Sequence, residues 1–256
     1  MRMKRRIGCI LFVLSLAFAT SSYALSLLVS EGRFYEYGYG KSSWGEMTSF
    51  IDTATGDNVT VVYDFSDLSQ MLKYDALWLD IRNPGDSLTS PEVNNLKTFI
   101  NTGRRVVMIG ENNNWPTWDN SILGVVGGTL NLNDGAYGTV TSIYSHPLTN
   151  SAPIVYVPTG GAAEGGTALY SKNFATLWGS NSNVLTVLDM NVFQDSFLNR
   201  ENNRQFAKNV ANWVANSGTV VPEPTTILLL GSGLLGLLGL GARKRKNIST
   251  CDLVAW

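Results

Sequence analysis

The sequence predicts an open α/β domain, a mostly parallel sheet with helices on both faces. Two observations carry this. Short runs such as Ala76, Leu77, Trp78 and Leu79 are apolar at every position; such strands bury both faces, as in a parallel sheet covered by helices. Between these runs, apolar residues recur at helical spacing, so strand and helix patterns alternate along the chain.

In chain order, residues 25–29 read as a first strand and 44–54 as a helix. Residues 59–63 form a second strand, followed by a short helical segment through Leu68, Met71 and Leu72. Residues 76–80 and 105–109 are the third and fourth strands. Between those two, Thr89 and Glu92 make a capping box with Pro91 inside the first turn. Val93, Leu96, Phe99 and Ile100 then recur on one face until Gly103 ends the helix. A last helix opens at Asn202 or Asn203, either of which can cap it, and buries Phe206, Val210, Trp213 and Val214 before Gly218. Residues 127–187 hold Gly-rich turns and short strand-like runs such as 154–157. The pairs Gly160, Gly161 and Gly165, Gly166 read as flexible turns, because no helix opening with Lys-Ser or Lys-Thr follows to make a phosphate loop.

Both ends of the chain carry address-like segments. Arg2, Lys4, Arg5 and Arg6 precede an apolar stretch over 7–19, and in the run Ser22, Tyr23, Ala24 the outer two supply small residues for cleavage. Residues 1–24 therefore read as a signal peptide removed by signal peptidase after Ala24. Near the other end, Val221, Pro222, Glu223 and Pro224 lead into an apolar helix over 225–241, then Arg243, Lys244, Arg245 and Lys246. At ~1.5 Å per residue that helix reaches roughly 25 Å, slightly less than a hydrocarbon core, and the long basic side chains can snorkel to make up the difference. A basic cluster beside a span favours the cytoplasmic side, which puts residues 25–218 outside and the 247–256 tail inside.

These three parts, over 219–246, resemble the PEP-CTERM sorting signal of exopolysaccharide-producing bacteria. The resemblance implies exosortase as a processing enzyme, a membrane-held intermediate through the apolar helix, and a destination at the cell surface or extracellular matrix. The 247–256 tail departs from the family pattern, which usually stops soon after the basic residues; processing efficiency is the property this departure bears on.

Composition narrows the partners of residues 25–218. That stretch holds eleven Lys and Arg against eighteen Asp and Glu, a net charge of −7. Such a field repels phosphate backbones, so nucleic acid is not an expected partner. Cys9 and Cys251 both fall outside it, leaving no disulfide, thiolate nucleophile or Cys-bound metal. About 195 residues are enough for one sizeable core.

A second resemblance rests on Tyr74 and Asp75 before the third strand, the capped helix, and the run Gly103 to Gly110. It continues through His146, Pro147, Leu148 and Thr149, then Val187, Leu188 and Asp189, to Asn203, Arg204, Phe206, Asn209 and Trp213. Together these resemble the class I glutamine amidotransferase-like superfamily, and within it the non-catalytic secreted or envelope members. Enzymes of that superfamily carry a nucleophilic Cys at the elbow after the fourth strand, where this chain has Glu111, Asn112, Asn113 and Asn114. Without a thiolate no acyl intermediate forms there. The nearest approach to a serine elbow, Gly231, Ser232 and Gly233, lies in the apolar helix. His146, before Pro147, reads as a loop residue satisfied locally.

Two loops are candidates for recognition. One carries Tyr35, Tyr37, Tyr39 and Trp44, the other Asn113, Trp115 and Trp118. In a doubly wound sheet both emerge at the carboxyl ends of the strands, where ligands bind. Aromatic faces interleaved with amides and carboxylates suit sugar rings and their hydroxyls; the same residues equally suit packing against the sheet edge. Asp189 to Asp195 offers oxygen ligands for a hard cation, without the glycine or terminal glutamate of an EF-hand, and a structural turn is the favoured reading. No cofactor and no metal are expected. The leading expectation is a non-catalytic, exosortase-sorted surface protein associated with extracellular polysaccharide. The alternative is an extracellular hydrolase joining His146 to Glu111, Asp189 or Asp195.

Overall fold

A computed structural model describes residues 25–216. The expected signal peptide over 1–24, the sorting signal with the apolar helix expected over 225–241, the 247–256 tail, both cysteines and the Gly231 to Gly233 stretch lie outside the described residues. No helix among the described residues is long and apolar enough to cross a membrane.

The chain runs β1 (Leu27–Ser30), α1 (Gly45–Thr55), β2 (Val59–Val62), α2 (Leu68–Met71), β3 (Ala76–Leu79), α3 (Ser90–Ile100), β4 (Arg105–Gly110) and α4 (Pro116–Leu123). It continues through β5 (Thr129–Thr141), β6 (Ile154–Glu164), β7 (Thr167–Ala168), β8 (Ala175–Trp178), β9 (Val184–Leu188) and α5 (Asn203–Ala215). Seven strands form one sheet in the order β2-β1-β3-β4-β9-β8-β7. The first five in that order are parallel, and the open α/β fold expected from the sequence is the fold observed. β1–α1–β2 runs toward one edge and β3–α3–β4 toward the other, so right-handed crossovers set α1 and α3 on opposite faces. α1 packs against α5, and α2 against α3. β1, β3 and β9 are buried along their whole length, and apolar side chains fill them except for Ser30 and Thr186.

The far edge departs from the parallel pattern. Only a tight turn joins β8 to β9, with Gly179 and Ser182 both at positive φ, and so short a connection forces antiparallel pairing. β5 and β6 form a separate antiparallel pair interrupted by register shifts.

The capping box is present: Glu92 N–H donates to Thr89 Oγ1 at 3.4 Å, and Thr89 N–H to Glu92 Oε2 at 3.0 Å. Gly103 sits at φ 80° just past that helix. Two expectations need correction. Neither Asn202 nor Asn203 caps α5 through its side chain. The Asn202 side-chain oxygen accepts from Ile154 N–H, and the Asn203 amide bridges both backbone groups of Tyr156. These asparagines thus tie α5 to β6.

Gly160 and Gly161 are not a turn but part of β6. A Cβ on Gly160 would lie 2.7 Å from the Leu188 carbonyl oxygen, and one on Gly161 would lie 2.9 Å from Leu130 Cδ1. Two bare positions let β6 cross tightly over the carboxyl ends of β4 and β9, where Gly161 N–H donates to Glu111 O at 2.8 Å. Gly165 and Gly166, at φ 98° and 63°, do make a turn.

Candidate functional site at the carboxyl ends of the strands

Three strands end on an acid. Asp80 follows β3, Glu111 follows β4 and Asp189 follows β9, and α4 adds Asp119; all four are buried. The β6 crossing accounts for part of this sealing, since Thr159 N–H on that strand donates to Asp189 Oδ2 at 3.1 Å. Glu111 N–H donates to Asp119 Oδ1 at 2.9 Å, and Asn191 Nδ2 donates to Glu111 Oε1 at 2.9 Å. Glu111 Oε2 and Asp119 Oδ2 have no hydrogen-bond partner among the described residues.

Burial shifts these four carboxyls toward their protonated forms. Burial, then the charges of Asp189 and Asp119, pushes Glu111 far above the usual carboxylate range. Burial raises Asp119 to about 8 and Asp80 to about 6, and it raises Asp189 as well. No group of three or more His, Cys, Asp or Glu among the described residues is placed to hold a metal ion. Asp189 accepts from Thr159 and Asn191 backbone N–H groups, and Asp195 Oδ1 accepts from Glu46 N–H at the start of α1. Both therefore act as backbone caps.

The two aromatic loops do meet, through Phe34. Its ring contacts Trp115 edge-on at 4.5 Å between centroids, stacks on Tyr37 at 5.9 Å and meets Tyr35 edge-on at 4.5 Å. Tyr35 is 81% exposed, at φ 44°. The other candidates are less available. Trp44 is fully buried against Trp78 and Phe193, and Trp118 is fully buried with its indole N–H donating to Ile109 O. Neither can offer a face to a sugar, which corrects that expectation. Trp115 is buried apart from an edge. Tyr39 is half-buried and donates to Asp52 Oδ1, and the Asn113 amide donates to the Leu132 and Asp134 carbonyls, holding β5. Tyr37 is half-buried near Glu111; burial, then the charges of Glu111 and Glu36, raises its hydroxyl pKa.

His146 lies at the other end of the sheet. It lines a cavity with Arg105, the first residue of β4, whereas Glu111 follows the last. Six strand residues at about 3.3 Å each put roughly 20 Å between them. The convergence of His146 with Glu111, Asp189 or Asp195 is therefore not found. His146 Nδ1 accepts from Leu148 N–H at 3.2 Å, as a locally satisfied loop residue would. The buried carboxylates were readable as acids ending apolar strands, but a run such as Glu111 to Asn114 looks like an exposed polar loop until β6 is seen to cover it.

The mmIFT52 N-terminal domain is similar in structure, with a TM-score of 0.56 at 13% identity over 75% of this chain and 98% of that one; the likeness is one of fold alone. A ThuA-like protein from Bacteroides uniformis aligns with a TM-score of 0.47 at 14% identity, over 78% of this chain and 94% of its own. A GMP synthase protein from Thermoplasma acidophilum aligns at 0.47 and 12%, over 75% and 92%. No curated protein matches the sequence. The PEP-CTERM protein-sorting motif matches residues 220–246, the stretch that holds Val221, Pro222, Glu223, Pro224 and the Arg243 to Lys246 cluster. The chain is thus an exosortase-sorted, exported protein that joins this motif to an open α/β domain.

Proposed function

We propose that this protein is a non-catalytic component of the cell surface or matrix that holds extracellular polysaccharide through the loops at Tyr35 and Trp115. On this reading residues 1–24 are a signal peptide cut after Ala24, residues 25–218 are the exported domain, and exosortase acts within 219–246. The observation that carries the polysaccharide contact is the Phe34 ring joining both loops beneath an exposed Tyr35. An aromatic face held out this way suits a sugar ring. The position after β4 supports a binding role over chemistry: Glu111 is buried, and no residue from 110 to 116 adopts the positive φ of a strained nucleophile elbow.

Binding by stacking and neutral hydrogen bonds is weak per site and only mildly sensitive to salt. Protein purified from the exporting cells should co-sediment with their polysaccharide, and Tyr35→Ser should reduce the bound fraction several-fold without lowering thermal stability. Equal co-sedimentation of both proteins would remove the loops from the function. Deleting exosortase should leave a larger, membrane-retained form; an unchanged size would end the processing assignment.

A further inference from the structure

Arg105 has no carboxylate partner among the described residues. It is half-buried at the start of β4, and its guanidinium sits 4.8 Å over the Trp213 ring and donates to the Trp213 carbonyl. Other basic residues also lack an ion pair among the described residues; what distinguishes Arg105 is its half-buried place on Trp213 beside a cavity. Arg105 lines a cavity of about 230 Å³ together with His146, Asn212, Trp213 and Asn216.

That cavity is rich in donors. His146 Nδ1 accepts from Leu148 N–H, so in the neutral ring the other nitrogen carries the proton and donates. Burial, then the nearby Arg105 charge, lowers the His146 pKa and favours that neutral form. Asn212 is exposed, and its side-chain amide makes no hydrogen bond among the described residues. A guanidinium flanked by a ring N–H and a free amide suits a carboxylate, which accepts two parallel hydrogen bonds from arginine.

The cavity shares His146 and Pro147 with an open groove of about 830 Å³. Its walls carry Ser142, Ser145, Asn150 and Ser151 beside Tyr144, which is 44% exposed and whose ring stacks on His146 at 6.1 Å. Hydroxyls and amides around one flat aromatic face suit a sugar, whereas an acidic peptide would find no second cation among the described lining residues.

We propose that Arg105, His146 and Asn212 form a subsite for the carboxylate of a uronic acid, with adjoining sugar units in the groove beside Tyr144. This site lies at the opposite end of the sheet from Tyr35 and does not depend on the function assigned to that loop. It would let an acidic domain engage an acidic polysaccharide through one local exception to its own field.

Saturation-transfer NMR on protein purified from the exporting cells tests this, using a glucuronic acid tetrasaccharide, its glucose counterpart and penta-glutamate as probes. The glucuronate probe should bind at least about tenfold tighter than either of the others, and Arg105→Gln should lose about tenfold while Arg105→Lys keeps part of the affinity. Asn212→Asp, a change at an exposed side chain, supplies an internal carboxylate for Arg105 and should block the probe even if Arg105→Gln fails to fold. Tyr35→Ser should bind the probe normally, which separates this site from the Tyr35 loop. Equal binding of glucose or penta-glutamate, or undiminished binding by Arg105→Gln or Asn212→Asp, would overturn the assignment.

Discussion

Glu92 and Glu111 are 1% and 3% exposed, yet they sit at opposite ends of the carboxyl range. Burial pushes both upward. At Glu92 two Arg82 hydrogen bonds, the Thr89 backbone and hydroxyl, and the Arg82 charge outweigh it, holding the group to about 2. At Glu111 the nearest charges are the carboxyls of Asp189 and Asp119, and the group rises instead. Asp80 lies between them: it accepts from Tyr39 N–H and Trp78 Nε1–H, has no ion-pair partner among the described residues but feels the Lys41 charge, and rises only to about 6. Depth of burial thus leaves the charge of a carboxyl open; its donors settle whether it ionises.

The largest test removes the cation. Arg82→Ala leaves Glu92 buried with only the helix cap to satisfy it, and breaking a buried pair this way costs about 3–5 kcal/mol. Chemical denaturation should show a loss of that size, and a double replacement of Arg82 and Glu92 by Met and Leu should recover much of it. A loss below about 1 kcal/mol in Arg82→Ala would break the comparison, since Glu92 would then tolerate the isolation that Glu111 has.

The second test works from the other carboxyl. A folded state that keeps a proton the unfolded chain releases loses stability as pH rises. For Glu111 and Asp119 the loss begins above the ordinary carboxyl range near 4 and is complete only above the folded values, about 8 for Asp119. Glu111→Gln keeps an oxygen for the Asn191 amide and has no proton to lose. It should match the parent protein at pH 4 and exceed it by about 2 kcal/mol at pH 8. Asp119 remains, so the variant's pH dependence should be shallower than the parent's without vanishing. A parallel dependence in the two proteins would mean that Glu111 ionises freely where it stands.

Legibility in the sequence follows the same division. The Thr89 and Glu92 capping box, the apolar runs of β1 and β3 and the stripe on α5 were readable, because each depends on neighbours within a few residues. β5 and the part of β6 beyond residues 154–157 were not, since Asn and Gly interrupt their alternation and their register shifts between Leu130 and Gly135. That miss hid the burial of Glu111, which a strand from residues 154–164 covers. The aromatic loops were placed at the correct end of the sheet, but Trp44 and Tyr35 carry the same local signal. Contacts with Trp78 and Phe193, far along the chain, bury the first and leave the second in water.

The smallest effect comes where cation and carboxyl meet in solvent. Lys172 Nζ lies 2.7 Å from Asp134 Oδ1, so the contact is as close as many buried pairs, but both side chains remain 45% and 44% exposed. Water already satisfies each group when apart, and holding two flexible side chains together costs entropy, so such pairs contribute about 0.2–1 kcal/mol. Lys172→Met should therefore shift the denaturation midpoint by only a few tenths of a kcal/mol, and added salt should erase most of the difference by screening the pair. If Lys172→Met instead cost as much as Arg82→Ala, contact distance alone would set the value of a carboxyl's cation. The contrast between Glu92 and Glu111 would then owe nothing to their removal from water.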